Sequence, residues 1–402
     1  MERSKNRVLP WITLAVSIIF SIAYIVMAIA LKVDTDEDVL RMIILGTLGL
    51  SIVPIVFAII TGAVNKVYDP MAERVDAVCA RYSAFALIMA VLPVGLQLLL
   101  FALFPGFGDL AESDPARATF IVTILTIYVT GFPMLLLTLR KVPAMKIEKR
   151  NPTFPFFLLC VAVMAGLCLA GVLIGAPIEM LLTKPFEDGS AAEETDKLAK
   201  ILMSSSFFDR VLVTGILAPI FEELIFRKLL ISRTIKYGET FSILLSGFMF
   251  GLFHGNFQQF FFASFVGMLF AFVFIRTGKV IYTILLHMTV NLSTSVVTTT
   301  LYIKLMPYID NLENMADLPD DIAFLLLVLT AWIMLLGMIA LTGIVLFFVF
   351  NKKFRPYKAP GEPSVGKIIG SYASSPMFWS FIVICIGDFG SAYLPAIVNY
   401  FM

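Results

Sequence analysis

Apolar runs of about 20 residues follow one another along almost the whole chain, from Leu9 to Phe401, and that is the length a helix needs to cross a hydrocarbon core. Read this way, the sequence predicts an all-α, polytopic transmembrane bundle of about eleven spans. They fall near 9–31, 42–64, 82–104, 118–139, 154–178, 208–232, 240–256, 258–275, 280–303, 322–350 and 376–401. The 240–256 run is short, and 322–350 is long enough to tilt or to extend beyond the membrane. Hydrophobic residues make up 59% of the chain and charged ones 15%, more apolar surface than a soluble core can bury. The net charge of +1 supplies no bulk attraction to nucleic acid.

The loops give an independent reading of topology. Arg3, Lys5 and Arg7 open the chain, and Asp34, Asp36, Glu37 and Asp38 follow the first run. Arg140, Lys141, Lys146, Lys149 and Arg150 precede the fifth span, whereas Glu187, Asp188, Glu193, Glu194 and Asp196 follow it. Lysine and arginine return after 208–232, after 258–275 and before the last span. Basic residues thus occupy every second loop, which places the N-terminus in the cytoplasm and the C-terminus outside. Ala28-Ile29-Ala30 after the first run resembles a signal-peptide cleavage site, but the run is longer than a usual signal core, so it is read as an uncleaved anchor. Cys79, Cys160, Cys168 and Cys385 form no CxxC pair and read as small buried hydrophobes.

Against this apolar background a few ionisable groups stand out. The chain has only two histidines, His254 and His287, each inside an apolar run, and a third run carries the adjacent Glu222 and Glu223. Such groups are costly at membrane depth and rarely persist there without a partner or a task. On a helix Glu223 and Arg227 share a face, as do His287 and Asn291, while Glu222 is turned about 100° from Glu223. Helical rise puts Glu222, His254 and His287 about 18, 21 and 10 Å from the cytoplasmic ends of their runs, all within a roughly 30 Å core. One shared site is therefore geometrically allowed.

In chain order the residues read Glu222-Glu223-x-x-x-Arg227, Phe250-x-x-x-His254 and His287-x-x-x-Asn291. This constellation resembles the CPBP family of intramembrane proteases, named for CAAX proteases and bacteriocin-processing enzymes. The resemblance divides the chain into N-terminal helices of unrecognised role (1–183), an acidic extracytoplasmic loop (184–207), a CPBP-type catalytic core (208–303) and C-terminal helices with a basic cytoplasmic linker at 351–375. It implies peptide hydrolysis, with Glu222 as general base, His254 holding the same water, and His287 and Asn291 stabilising the oxyanion. Glu223 and Arg227 would support them. It also implies a peptide or membrane-protein substrate in a lipid setting.

Family members are described both as metalloproteases and as glutamate-dependent enzymes that need no metal. Glu222, His254 and His287 are a sufficient ligand count for zinc if a metal is bound, although no HExxH helix is present. The bland readings are a helix-bridging histidine, a helix-locking Glu223–Arg227 pair, polar glue at Asn291 and packing at Phe250. A non-catalytic scaffold on the same fold is the alternative function. A proton-coupled transporter is disfavoured, because the polar groups cluster in one region instead of spreading through several spans. Asp388 is a further membrane carboxylate without motif context. The expected location is the cell membrane, with a bacterial plasma membrane suggested by the lack of a eukaryotic retention signal.

Overall fold

The structure, a computed structural model, describes residues 70–183, 197–308, 319–358 and 361–386. The expected spans 9–31 and 42–64, the acidic cluster at 187–196, Asp388 and the end of the last span lie outside the described residues. Every regular element among the described residues is helical. In chain order these are α1 (Pro70–Leu103), α2 (Pro105–Ser113), α3 (Pro115–Leu139), α4 (Phe154–Thr183), α5 (Lys197–Ser204) and α6 (207–234). They continue with α7 (Glu239–Leu252), α8 (Phe257–Thr277), α9 (Val280–Tyr308), α10 (Asp320–Val349), α11 (Val365–Ala373) and α12 (Pro376–Ile386).

Five of these helices are long and apolar enough to cross a membrane, or up to seven if each of two bent pairs counts as one span. The chain is a multi-pass membrane protein. Two expected spans depart from that simple description. The helix α6 carries Arg210, Glu222, Glu223, Arg227, Lys228 and Arg233, too many charges for an ordinary span. Helix α7 has 14 residues, so it rises only about 21 Å and stops short of a roughly 30 Å core.

The described residues divide into two compact units, and the division falls within α1. In the first, α1 up to Leu87 packs with α11 and α12. Asp76 Oδ1 accepts from Ser375 Oγ at 2.5 Å and from Met377 N at 3.1 Å, which caps the start of α12. Ser83 Oγ donates to Met377 O at 3.2 Å.

The second unit holds α1 from Ile88 and the helices from α2 to α10, apart from the last three residues of α4. Lipid tails are as apolar as leucine, so its helices are held by close packing and interhelical hydrogen bonds instead of by hydrophobic collapse. Glycines supply that closeness. A Cβ on Gly247 or Gly251 of α7 would overlap Met268 or Ser264 of α8, and one on Gly343 of α10 would overlap Ala162 O of α4. Helix α8 is the axis of this unit: 67% of its apolar window is buried, against 11% for α10. The outward row Phe324, Leu327, Met334, Met338, Leu341, Val345 and Phe348 on α10 is exposed, which would be an aggregation patch in water and is an ordinary lipid-facing surface in a bilayer.

Polar ties close the α3–α4 connection over this core. Arg233 donates from Nε and a terminal nitrogen to Leu139 O at 3.2 and 3.1 Å, Met145 N bonds Ser232 O at 2.6 Å, and Arg150 N bonds Thr277 O at 2.7 Å. Gly278 ends α8 at φ +60, where a Cβ would strike Glu148 O, so only glycine fits there.

Candidate active site

Helix α6 is not uniformly wound. Its α-helical stretch Ala218–Glu223 lies between two π-helical stretches, Arg210–Leu217 and Leu224–Leu229. Pro219 has no N–H to donate, and the chain on either side runs in the wider i→i+5 turns that recur at functional sites. Both glutamates are thereby set at the end of the central stretch, with the two carboxylates in different environments.

Glu223 is fully buried. Its Oε2 lies 3.1 Å from Arg227 Nε, also fully buried, and its Oε1 lies 3.0 Å from His287 Nδ1. Glu222 is 24% exposed, and its Oε2 lies 3.7 Å from His287 Nε2. A carboxylate accepts, so Glu223 requires the proton on Nδ1 of His287 and fixes how that ring is turned. His287 therefore stands between the two carboxylates, one partner buried and the other open.

Phe250 sits at the centre of this cluster. The Arg227 guanidinium lies 4.2 Å above its ring, and the rings of His254 and His287 meet it edge-on at 4.7 and 5.7 Å. Such contacts favour a desolvated cation and hold both imidazoles by their edges. Phe270 of α8 closes the opposite side, 5.4 Å from Arg227 and 5.5 Å from His287.

His254 lies just past the end of α7, in the turn before α8. Its Nδ1 is 2.8 Å from Phe250 O. A carbonyl only accepts, so Nδ1 carries the proton and Nε2 keeps its lone pair. Asn256 holds the turn by donating from Nδ2 to His254 O at 3.1 Å and by capping α8 through Gln259 N at 2.7 Å. Asn291 donates from Nδ2 to Thr214 O at 2.8 Å, bridging α9 to α6.

Glu222, His254, His287 and Asn291 all line one cavity of about 480 Å³. Arg227 and Glu223 lie behind it as buried support. The structure thus brings together the four residues named for chemistry and separates off the two named as supporting. Its wall also contains residues that the sequence did not offer as site candidates: Tyr128 of α3, Cys168 of α4 and Thr214 of α6 among them. Tyr128 stacks on Phe221 at 4.3 Å between ring centres, and Phe132 meets the same ring at 5.0 Å. These and Phe270 are aromatic residues, ordinary in apolar runs, so nothing in the sequence marked them.

Among the described residues no three His, Cys, Asp or Glu side chains converge as metal ligands.

Residues 204–293 match the family model described as type II CAAX prenyl endopeptidase Rce1-like. Over that segment the chain is similar to the Rce1-like family. That segment contains Glu222, Glu223, Arg227, Phe250, His254, His287 and Asn291, and it excludes α1 to α4 and α10 to α12. A curated protein of Bacillus subtilis (strain 168), named "Putative membrane peptidase YdiL", is 28% identical over 107 residues, or 26% of this chain and 43% of that relative. The chain therefore matches less than half the length of this relative. No solved structure matches it.

Proposed function

We propose that this protein is an intramembrane endopeptidase of the CPBP type, cleaving a peptide or membrane-protein substrate with water activated by glutamate and histidine. The observation that carries the reading is the unequal pair of carboxylates. Glu223 is locked between Arg227 and His287, whereas Glu222 faces the cavity at 3.7 Å from His287 and is free to take a proton.

Hydrolysis of an amide needs a water made nucleophilic, charge stabilisation at the carbonyl oxygen and a proton for the departing amine. Glu222 removes a proton from a cavity water as the water oxygen bonds to the carbonyl carbon. His254, with its Nε2 lone pair presented to the cavity, accepts a hydrogen bond from the same water. The second amide hydrogen of Asn291 donates to the developing oxyanion, and His287 does the same from Nε2 in its imidazolium form, with Nδ1–H still on Glu223. Collapse of the tetrahedral intermediate breaks the C–N bond, and the proton held on Glu222 passes to the amine. Arg227 offsets the charge of Glu223, so the support needs no counter-ion from solvent. No step is routed through a metal, because the donor atoms do not converge as ligands.

A scaffold on the same fold would make equal use of the buried Glu223–Arg227 pair. It gives no reason for Glu222 to be a part-exposed carboxylate facing the cavity, 3.7 Å from His287. The test compares membrane-peptide termini in cells carrying the native chain and cells carrying Glu222→Ala at equal abundance. Peptide ends present only with the native chain support proteolysis and name the substrate. Identical termini, where deleting the gene still has a phenotype, would sink the catalytic role of Glu222.

A further inference from the structure

We infer that Tyr128, on a helix outside the family-matched segment, supplies a hydroxyl donor to the reacting carbonyl of the substrate. The inference rests on the proteolytic reading above and adds a residue to it. Five hydroxyl groups in the cavity wall are threonine or tyrosine: Thr119, Thr123, Tyr128, Thr214 and Thr294. The four threonines are committed, each donating to the carbonyl four residues earlier: Pro115, Thr119, Arg210 and Val290, at 2.6 to 2.9 Å. Those donors close local turns and leave the wall effectively apolar. Among the described residues the phenol of Tyr128 has no protein acceptor. Ser295 is in the same condition, but it lies on the π-helical stretch of α9, with no ring stacked beside the carboxylate.

Tyr128 is held in place by its ring instead. It stacks on Phe221 with 24° between the planes, and Phe221 directly precedes Glu222 in the chain. Tyr128 and Glu222 both line the cavity. The backbone that presents it is the π-helical stretch Ile124–Gly131, the counterpart on α3 of the stretches flanking the glutamates on α6.

A hydroxyl left unpaired in an apolar cavity is unfavourable by a few kcal/mol. Water satisfies it while the cavity is empty. When a peptide displaces that water, the hydroxyl must find an acceptor on the peptide. Tyr128 and Glu222 line the same cavity, so the carbonyl attacked by the Glu222-activated water is an acceptor open to the phenol. The O–H donates without transferring its proton, and the bond strengthens as negative charge grows on the carbonyl oxygen.

Tyr128→Phe tests this, because it keeps the ring stack and deletes only the hydroxyl. The full-length protein in nanodiscs is assayed with the peptide whose new terminus the cell comparison identifies, alongside Glu222→Gln. The expected result is a fall in kcat of about 100-fold for Tyr128→Phe, the lower end of the loss for one oxyanion donor. KM and thermal stability stay unchanged. An unchanged kcat, or a rise in KM alone, overturns the role of Tyr128 while Glu222→Gln, inactive, leaves the proteolytic reading standing. Cleavage retained by Glu222→Gln overturns both.

Discussion

Arg227→Met should be among the most damaging single changes in this protein, and its partner's substitution should repair much of it. Arg227 and Glu223 are both 0% exposed and 3.1 Å apart, so solvent screening takes nothing from the pair. Removing the guanidinium leaves a buried carboxylate whose remaining close partner is His287 Nδ1 at 3.0 Å. Breaking a buried pair on one side destabilises by about 3–5 kcal/mol. Loss of the cation 4.2 Å above Phe250 adds about 1 kcal/mol or more for a desolvated site. In the double variant Glu223→Gln with Arg227→Met no charge is stranded, and neutral replacements of buried pairs often come near the starting stability. We expect Arg227→Met to lose about 4–6 kcal/mol and the double variant to recover at least about 2 kcal/mol of it. The assay is a double-mutant cycle on unfolding in mixed micelles, followed by circular dichroism. A coupling below about 0.5 kcal/mol, the scatter for independent sites, would refute the idea that the pair acts as one unit.

Three further outcomes follow from packing. Gly343→Ala must push Ala162 O away and separate α10 from α4; we expect a loss of about 1–3 kcal/mol in the same unfolding assay. Asp209→Asn breaks a 3.0 Å contact with Arg117, whose side chain is 46% exposed, so stability should change by less than about 1 kcal/mol. Gly278→Ala forces a side chain into φ +60 against Glu148 O; it should cost about 1–2 kcal/mol and speed tryptic cleavage after Lys149 and Arg150. Unaltered cleavage there would mean that the 140–153 segment is not held by Gly278.

The spans and the motif residues were readable because both rest on extremes of polarity. Continuous apolar runs marked α3, α4, α8, α9 and α10 closely, and two histidines in a hydrophobic chain drew attention to themselves. The i,i+4 spacing of Glu223 and Arg227 correctly implied their pairing. What the sequence concealed depends on winding and on neighbours distant along the chain. The π-helical stretches in α3, α6 and α9 have no compositional signature, so the separation of Glu222 from Glu223 could be anticipated only as an angle. Helix α7 looks like a short span by hydropathy, because His254, Gly255 and Asn256 are too few to show where winding stops. Tyr128 and Phe270 are ordinary aromatic residues in apolar runs, and only the fold brings them to the cluster.

The end of α7 ties folding to competence in a way that motif reading does not suggest. The N–H that completes the last turn of this helix belongs to the imidazole of His254, and its use there leaves the other ring nitrogen as the bare lone pair in the cavity. If that turn frayed, the ring would be released and its tautomer set free, with every other motif residue still in place. Protection of the Phe253, His254 and Gly255 amides, which bond Met249 O, Gly251 O and Leu252 O, is therefore a local gauge of whether the site is assembled. It can be read by hydrogen exchange without knowing the substrate.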